Sequence, residues 1–169
     1  MKQEINISAF EKLLNNSNYN VVQTMPKCQY MSNKFVIGIN YNHDIFLFDR
    51  NMIFGKESEF KPELYITVMI SLFSAKKYGY DFAISAKKVT HYYKDTCGNI
   101  SKSKAIKLES ENNCVYIPEN YYKLFSANCD FMVCSENVPE KYQVFVYGKG
   151  QLIGIICALF EDSNNWYED

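Results

Sequence analysis

At 169 residues and 47% apolar side chains, the chain is long enough for one packed domain and too apolar for a disordered one. Its net charge is −1, so any electrostatic surface must come from uneven placement of charge, and 14 Tyr with 12 Phe favour sheets over a helical bundle. The longest apolar run, Leu152 to Phe160, falls well short of the ~20 residues of a spanning helix, and Met1 to Asn6 has no apolar run suited to a signal peptide. A soluble, cytoplasmic protein with no membrane partner is expected. The six cysteines, at 28, 97, 114, 129, 134 and 157, keep no metal-ligand or disulfide spacing, so reduced thiols packed as small hydrophobes are expected.

In chain order, Ser8-Ala9-Phe10-Glu11 reads as a capping box opening a short helix with Phe10, Leu13 and Leu14 on its apolar stripe. Val21-Val22, Phe35 to Ile39, Ile45 to Phe48 and Met52 to Phe54 read as strands. Pro62 to Tyr78 reads as a core helix: Pro62 suits its first position, Lys76-Lys77 its negative end, and Gly79 a left-handed stop. Leu64, Tyr65, Val68, Met69, Leu72 and Phe73 would share its buried face, with Ser71 on the polar one. From Phe82 to Tyr93 the apolar parity switches, which a bulge or turn at Lys87-Lys88 would explain, or else a short helix from Ser85. Ala105 to Leu108 reads as a strand.

Cys114 to Phe160 carries the strongest punctuation. Cys114-Val115-Tyr116-Ile117 stops at Pro118, which can open the helix through Phe125. Three strand-like segments follow, the last two joined at Gly148-Lys149-Gly150, where the glycines can take positive φ. Glu161 to Asp169 reads as a polar, acidic tail, anchored if Trp166 or Tyr167 docks back. From Asp44 onward the order amounts to two successive β-α-β-β-β units. A single α+β domain is expected, an antiparallel-rich sheet with helices on one face.

Over residues 44–160, this double unit resembles one domain of a DNA sliding clamp. Val115-Tyr116-Ile117-Pro118, the helix through Phe125 and the hairpin closing on Ile153-Gly154-Ile155-Ile156 carry the likeness. The resemblance implies a scaffold of the processivity kind. The chain departs from it in charge, because clamp helices facing a duplex are basic. Here Lys76 and Lys77 oppose Glu63, and Lys123 opposes Glu119.

Charge is distributed unevenly. Residues 76–107 hold eight lysines against Asp81 and Asp95, whereas residues 108–169 hold three lysines against ten acidic side chains. The acidic third, with Tyr121, Tyr122, Glu136, Glu140, Tyr142, Tyr147, Trp166 and Tyr167, reads as a docking surface for a protein partner, such as a basic nucleic-acid-binding protein. The plain alternative makes these tyrosines half-buried strand residues. On the docking reading the chain is a non-catalytic interaction protein. Its Asn-, Lys-, Ile- and Tyr-rich composition suits an accessory or inhibitory factor of a phage or mobile element that acts on nucleic-acid machinery.

The second reading is direct nucleic-acid binding through Lys87, Lys88, Lys94, Lys102, Lys104 and Lys107, with Tyr92 and Tyr93 as stacking groups. Arg50 is the only arginine, which removes the favoured group for bidentate base contacts. A third reading is a thiol enzyme or zinc enzyme built on His91 and Cys97. It lacks a Cys-x-x-Cys or His-x-x-x-His pair and an orienting third group. No cofactor or metal is expected.

Overall fold

The computed structural model of the protein describes residues 4–24, 28–41 and 64–169. The expected strands at Ile45 to Phe48 and Met52 to Phe54, the Pro62-Glu63 helix start, and His43, Asp44, Asp49 and Arg50 lie outside them. The described chain is α+β, with antiparallel sheets. Among the described residues no helix is long and apolar enough to cross a membrane.

Helix α1 (Ile7–Asn15) leads into strands β1 (Val21–Thr24), β2 (Gln29–Ser32) and β3 (Val36–Asn40). Helix α2 (Leu64–Lys77) and strand β4 (Tyr80–Phe82) precede the long pair β5 (Ser85–Lys94) and β6 (Ile100–Glu109). Then come β7 (Cys114–Pro118), one helical turn α3 (Glu119–Tyr122), β8 (Asp130–Cys134), β9 (Gln143–Gly148), β10 (Gln151–Cys157) and β11 (Asn165–Glu168). A large sheet runs β1-β2-β3-β10-β9-β8-β4, and a small one runs β11-β5-β6-β7.

The large sheet is buried on both faces, as strand periodicity shows. Val36, Val144, Val146 and Ile156 point into the main core with Phe10 and Leu14 of α1, Phe125 after α3, and Ile106, Leu108, Val115 and Ile117 of the small sheet. The alternating Ile37, Ile39, Phe145 and Ile155 point the other way, onto Val68 of α2. Helices therefore cover both faces, where one was expected. The physical reason is that β3, β9 and β10 are apolar on both parities, which requires a cover on each side.

From α2 onward the described elements run α2-β4-β5-β6 and then β7-α3-β8-β9-β10, the order expected for the two units; the strand expected to open the first unit lies outside the described residues. The β1-β2-β3 and β8-β9-β10 meanders meet where β3 pairs with β10, Gly38 opposite Gly154. Each glycine sits under an aromatic ring: a Cβ on Gly38 would meet Phe10 Cζ at 2.6 Å, and one on Gly154 would strike the Phe125 ring. Phe10 and Phe125 touch edge to face, with ring centroids 5.8 Å apart. The glycines thus let both rings seat on the sheet.

Local corrections have local causes. The cap of α1 is Asn6, whose Oδ1 accepts from Ala9 N at 3.1 Å, two residues before the expected Ser8. Strand β2 had no clean alternation to reveal it; it is held by pairing to both β1 and β3. In α2 the buried face holds Val68 and Ser71, while Met69 and Phe73 are 57% and 80% exposed. The small Ser71 allows close approach to the sheet, where its Oγ accepts from Gln143 Nε2 at 3.4 Å. Gly79 does not take positive φ; it ends the helix by close approach to Ser135, whose N–H donates to the Gly79 carbonyl. The β9–β10 turn is formed by Lys149 and Gly150 at φ 51° and 77°, without Gly148.

No bulge occurs at Lys87-Lys88, because β5 pairs continuously with β6 from Ser85 to Lys94. The parity switch arises instead where the chain changes sheets: Ala83 N donates to Phe131 O of the large sheet, and Ile84 N to Glu109 O of the small one. The expected strand at Ala105 to Leu108 is the inner half of the longer β6. The acidic tail contains β11, paired along β5 from Asn165 opposite Tyr93 to Glu168 opposite Thr90.

Candidate nucleic-acid interface

Strand pairing places the lysines. Residues directly opposed in an antiparallel ladder share a face, and successive residues alternate between faces. Lys88, Thr90, Tyr92 and Lys94 of β5 therefore lie with Ile106, Lys104, Lys102 and Ile100 of β6 on one face. Lys87, Val89, His91 and Tyr93 lie with Lys107, Ala105, Ser103 and Ser101 on the other. The eight expected contact residues are thus divided: Lys88, Tyr92, Lys94, Lys102 and Lys104 together, and Lys87, Tyr93 and Lys107 behind them.

The second face is occupied by packing. Tyr167 of β11 stacks on Tyr116 with centroids 3.6 Å apart and on His91 at 4.9 Å, and its hydroxyl donates to Phe160 O. Burial of the two phenols raises their pKa. The ring nitrogens of His91 lie 2.9 Å from Asn165 Oδ1 and 3.4 Å from Ser103 Oγ. Lys87 pairs with Asp169 at 2.7 Å, and Lys107 with Glu109 at 3.3 Å, a hydrogen bond that raises the lysine's pKa. Both lysines on this side are already neutralised.

On the first face, the inner end is fixed by Glu119, the opening residue of α3. Its carboxylate lies 3.3 Å from Lys123 Nζ and 3.6 Å from Lys88 Nζ. The Lys123 hydrogen bond holds its pKa low, and Lys88 and Lys104 add to the effect. Together Lys88, Thr90, Lys104, Glu119 and Asp169 line a shallow cleft of about 210 Å³. Further out, Lys94, Lys102 and Lys104 are exposed and have no carboxylate within salt-bridge distance among the described residues. Tyr92 and Trp166, opposite one another on β5 and β11, stack with centroids 5.6 Å apart and an interplanar angle of 9°. Among the described residues, the one carboxylate that strand pairing adds to this face is Glu168, opposite Thr90.

The expected protein-docking residues are not gathered on one surface. Tyr121 packs against the main core and its hydroxyl accepts from Asn33 Nδ2; Tyr122 packs there too, stacked on Phe131. Tyr142 packs on the same core and meets Phe160 edge to face, whereas Tyr147 packs in the α2 cluster on the opposite side of the sheet. Trp166 and Tyr167 point to opposite faces of the small sheet. Glu136 is exposed in the β8–β9 connection, and Glu140 supplies a carbonyl to the Tyr80 hydroxyl. By register Trp166 lies on the face of the small sheet that carries Tyr92 and Lys102.

Ile66, Met69, Ile70 and Phe73 form an exposed apolar stripe on α2, beside a cavity of about 430 Å³ lined by Leu72, Phe73, Tyr80, Met132 and Phe145. Sequence periodicity missed the stripe because α2 is apolar all round. Cys97 is exposed in the β5–β6 turn, where its N–H donates to Asp95 Oδ1. Burial and Glu4 push the Cys129 thiol up to about 12. Among the described residues no group of three His, Cys, Asp or Glu side chains is placed to hold a metal ion. No family model, curated protein or solved structure matches the chain.

Proposed function

We propose that this protein is a non-catalytic nucleic-acid-binding protein whose contact surface is the Lys88–Lys94–Lys102–Lys104 face of the β5–β6 pair. The observation that supports it is the segregation of lysines by strand register. Among the described residues one face keeps three lysines with no carboxylate at salt-bridge distance, and the other holds two that are paired. Unpaired lysines in a row attract phosphates and release counterions when phosphates displace the small ions around nucleic acid. Contacts of this kind position a backbone and carry no base identity. The single arginine of the chain fits a sequence-independent binder.

The reading of an acidic, tyrosine-rich docking surface has weaker support, because four of its tyrosines serve the two cores and a fifth, Tyr167, packs under the small sheet. The test is filter retention of a 12-nucleotide oligonucleotide by the purified full chain at 20 mM salt. Retention that disappears by about 300 mM salt supports the proposal. Absence of retention at 20 mM ends it.

A further inference from the structure

Resting on the nucleic-acid reading, we infer that the polymer bound is single-stranded and that Tyr92 and Trp166 form the platform on which its bases stack. A cross-strand aromatic pair ordinarily stabilises its own sheet, and that role needs nothing further. Three observations go beyond it. First, Tyr92 and Trp166 belong to neither apolar cluster, whereas Tyr121, Tyr122, Tyr142 and Tyr147 each pack against one. The pair is therefore set apart from the core packing that explains those four rings, and by register it lies on the opposite face of the small sheet from the Tyr116–Tyr167–His91 stack. Second, β11 is an edge strand among the described residues, so no described strand stands beside Trp166 on the side away from Tyr92. Third, the pair lies within the lysine face: Tyr92 is opposite Lys102, with Lys94 and Lys104 one same-face step to either side.

Same-face residues along a strand are about 6.7 Å apart. That interval is close to the length one nucleotide adds to an extended single strand. Phosphates can therefore follow Lys94, Lys102 and Lys104 while a base reaches the rings beside them. A duplex offers phosphates but keeps its base faces inside the helix; only an unpaired strand presents both. Glu119 and Glu168 repel a backbone from the inner end, which places its path over the outer half of the pair.

Trp166 is the only tryptophan in the chain, so intrinsic fluorescence reports on this platform alone among indoles. The experiment titrates the full chain with oligo(dT) of 12 nucleotides and with a 12-base-pair duplex at 20 mM salt. The expected result is quenching of Trp166 emission by oligo(dT), with tighter binding of oligo(dT) than of the duplex. Trp166→Ala should weaken oligo(dT) binding roughly 5- to 150-fold and leave duplex binding within about twofold, as expected for loss of one stacked base. Trp166→Phe keeps an aromatic face and should retain most of the affinity, which guards against a fold defect in the alanine variant. Equal affinity for both polymers with unchanged emission overturns the stacking inference and leaves the nucleic-acid reading standing. Binding of neither polymer overturns both. Binding of poly-glutamate in place of either overturns both in favour of an acidic protein partner.

Discussion

Reversing charge on one face of the β5–β6 pair should sharply reduce the salt dependence that reversal on the other face leaves intact. The two variants are Lys102→Glu with Lys104→Glu, and Lys87→Glu with Lys107→Glu. Each changes formal charge by the same amount, so a nonspecific charge effect would make them equal. Four lysines share the first face; Lys88 is paired with Glu119, which leaves Lys94, Lys102 and Lys104 to contact phosphates. If those three contact phosphates of a single strand, log Kd should rise against log salt with a slope of about 2.1, or roughly 18-fold between 50 and 200 mM. Losing two contacts should lower the slope to about 0.7, or roughly threefold over the same range, before the added carboxylates repel the strand further. Lys87 and Lys107 already face Asp169 and Glu109, so reversing them removes no free cation and should leave the slope at about 2.1. Fluorescence anisotropy of a labelled 12-mer at four salt concentrations measures all three slopes. Equal loss of slope in the two variants would refute the division into faces.

Four further outcomes follow from packing and titration. Gly154→Ala should destabilise the fold by about 2–3 kcal/mol in urea, because its Cβ would meet the Phe125 ring and the Ile37 carbonyl at 3.0 Å. Gly38→Ala should cost less, since Phe10 and the flexible Met31 side chain are its nearest neighbours. Cys129 should alkylate on the order of 50-fold more slowly than Cys97 at pH 8 by mass-spectrometric labelling: a pKa near 12 cuts its thiolate fraction ~1000-fold, and its greater basicity returns part of that. Glu119 has a folded pKa below its value in the unfolded chain, so its ion pairs contribute stability above about pH 4.5, and that contribution is lost as pH falls through the lower folded value. The stability gap between the protein and Glu119→Gln should accordingly be widest near neutral pH and close in acid, as followed by urea titration at several pH values.

Much of the framework was legible because it is written in short-range pattern. Val115 to Pro118, Val144 to Val146 and Ile153 to Ile156 sit where apolar runs and turn residues place strands. Long-range pairing was not legible in the same way. Asn165-Trp166-Tyr167-Glu168 is short and polar, and only its ladder with β5 makes it a strand. The face of α2 could not be oriented from a sequence that is apolar all round. The junction of the two meanders at Gly38 and Gly154 was not legible, because two small residues carry no periodic signal.

The candidate site was half legible. The lysine block was visible as composition, and its location on strands followed from Val89, His91 and Tyr93. Adjacent strand residues must point to opposite faces, so the separation of Lys87 from Lys88 was available from periodicity alone. Which lysines of β6 join each set, and that Trp166 joins Tyr92, required the register.

The most direct trial of the nucleic-acid reading is a map of backbone amide shifts by NMR as a dT 12-mer is added at 20 mM salt. Perturbations should concentrate in residues 88–94, 100–104 and 165–168. Shifts that cluster instead on α2 or around Tyr142, or a spectrum that does not change at all, would contradict the account.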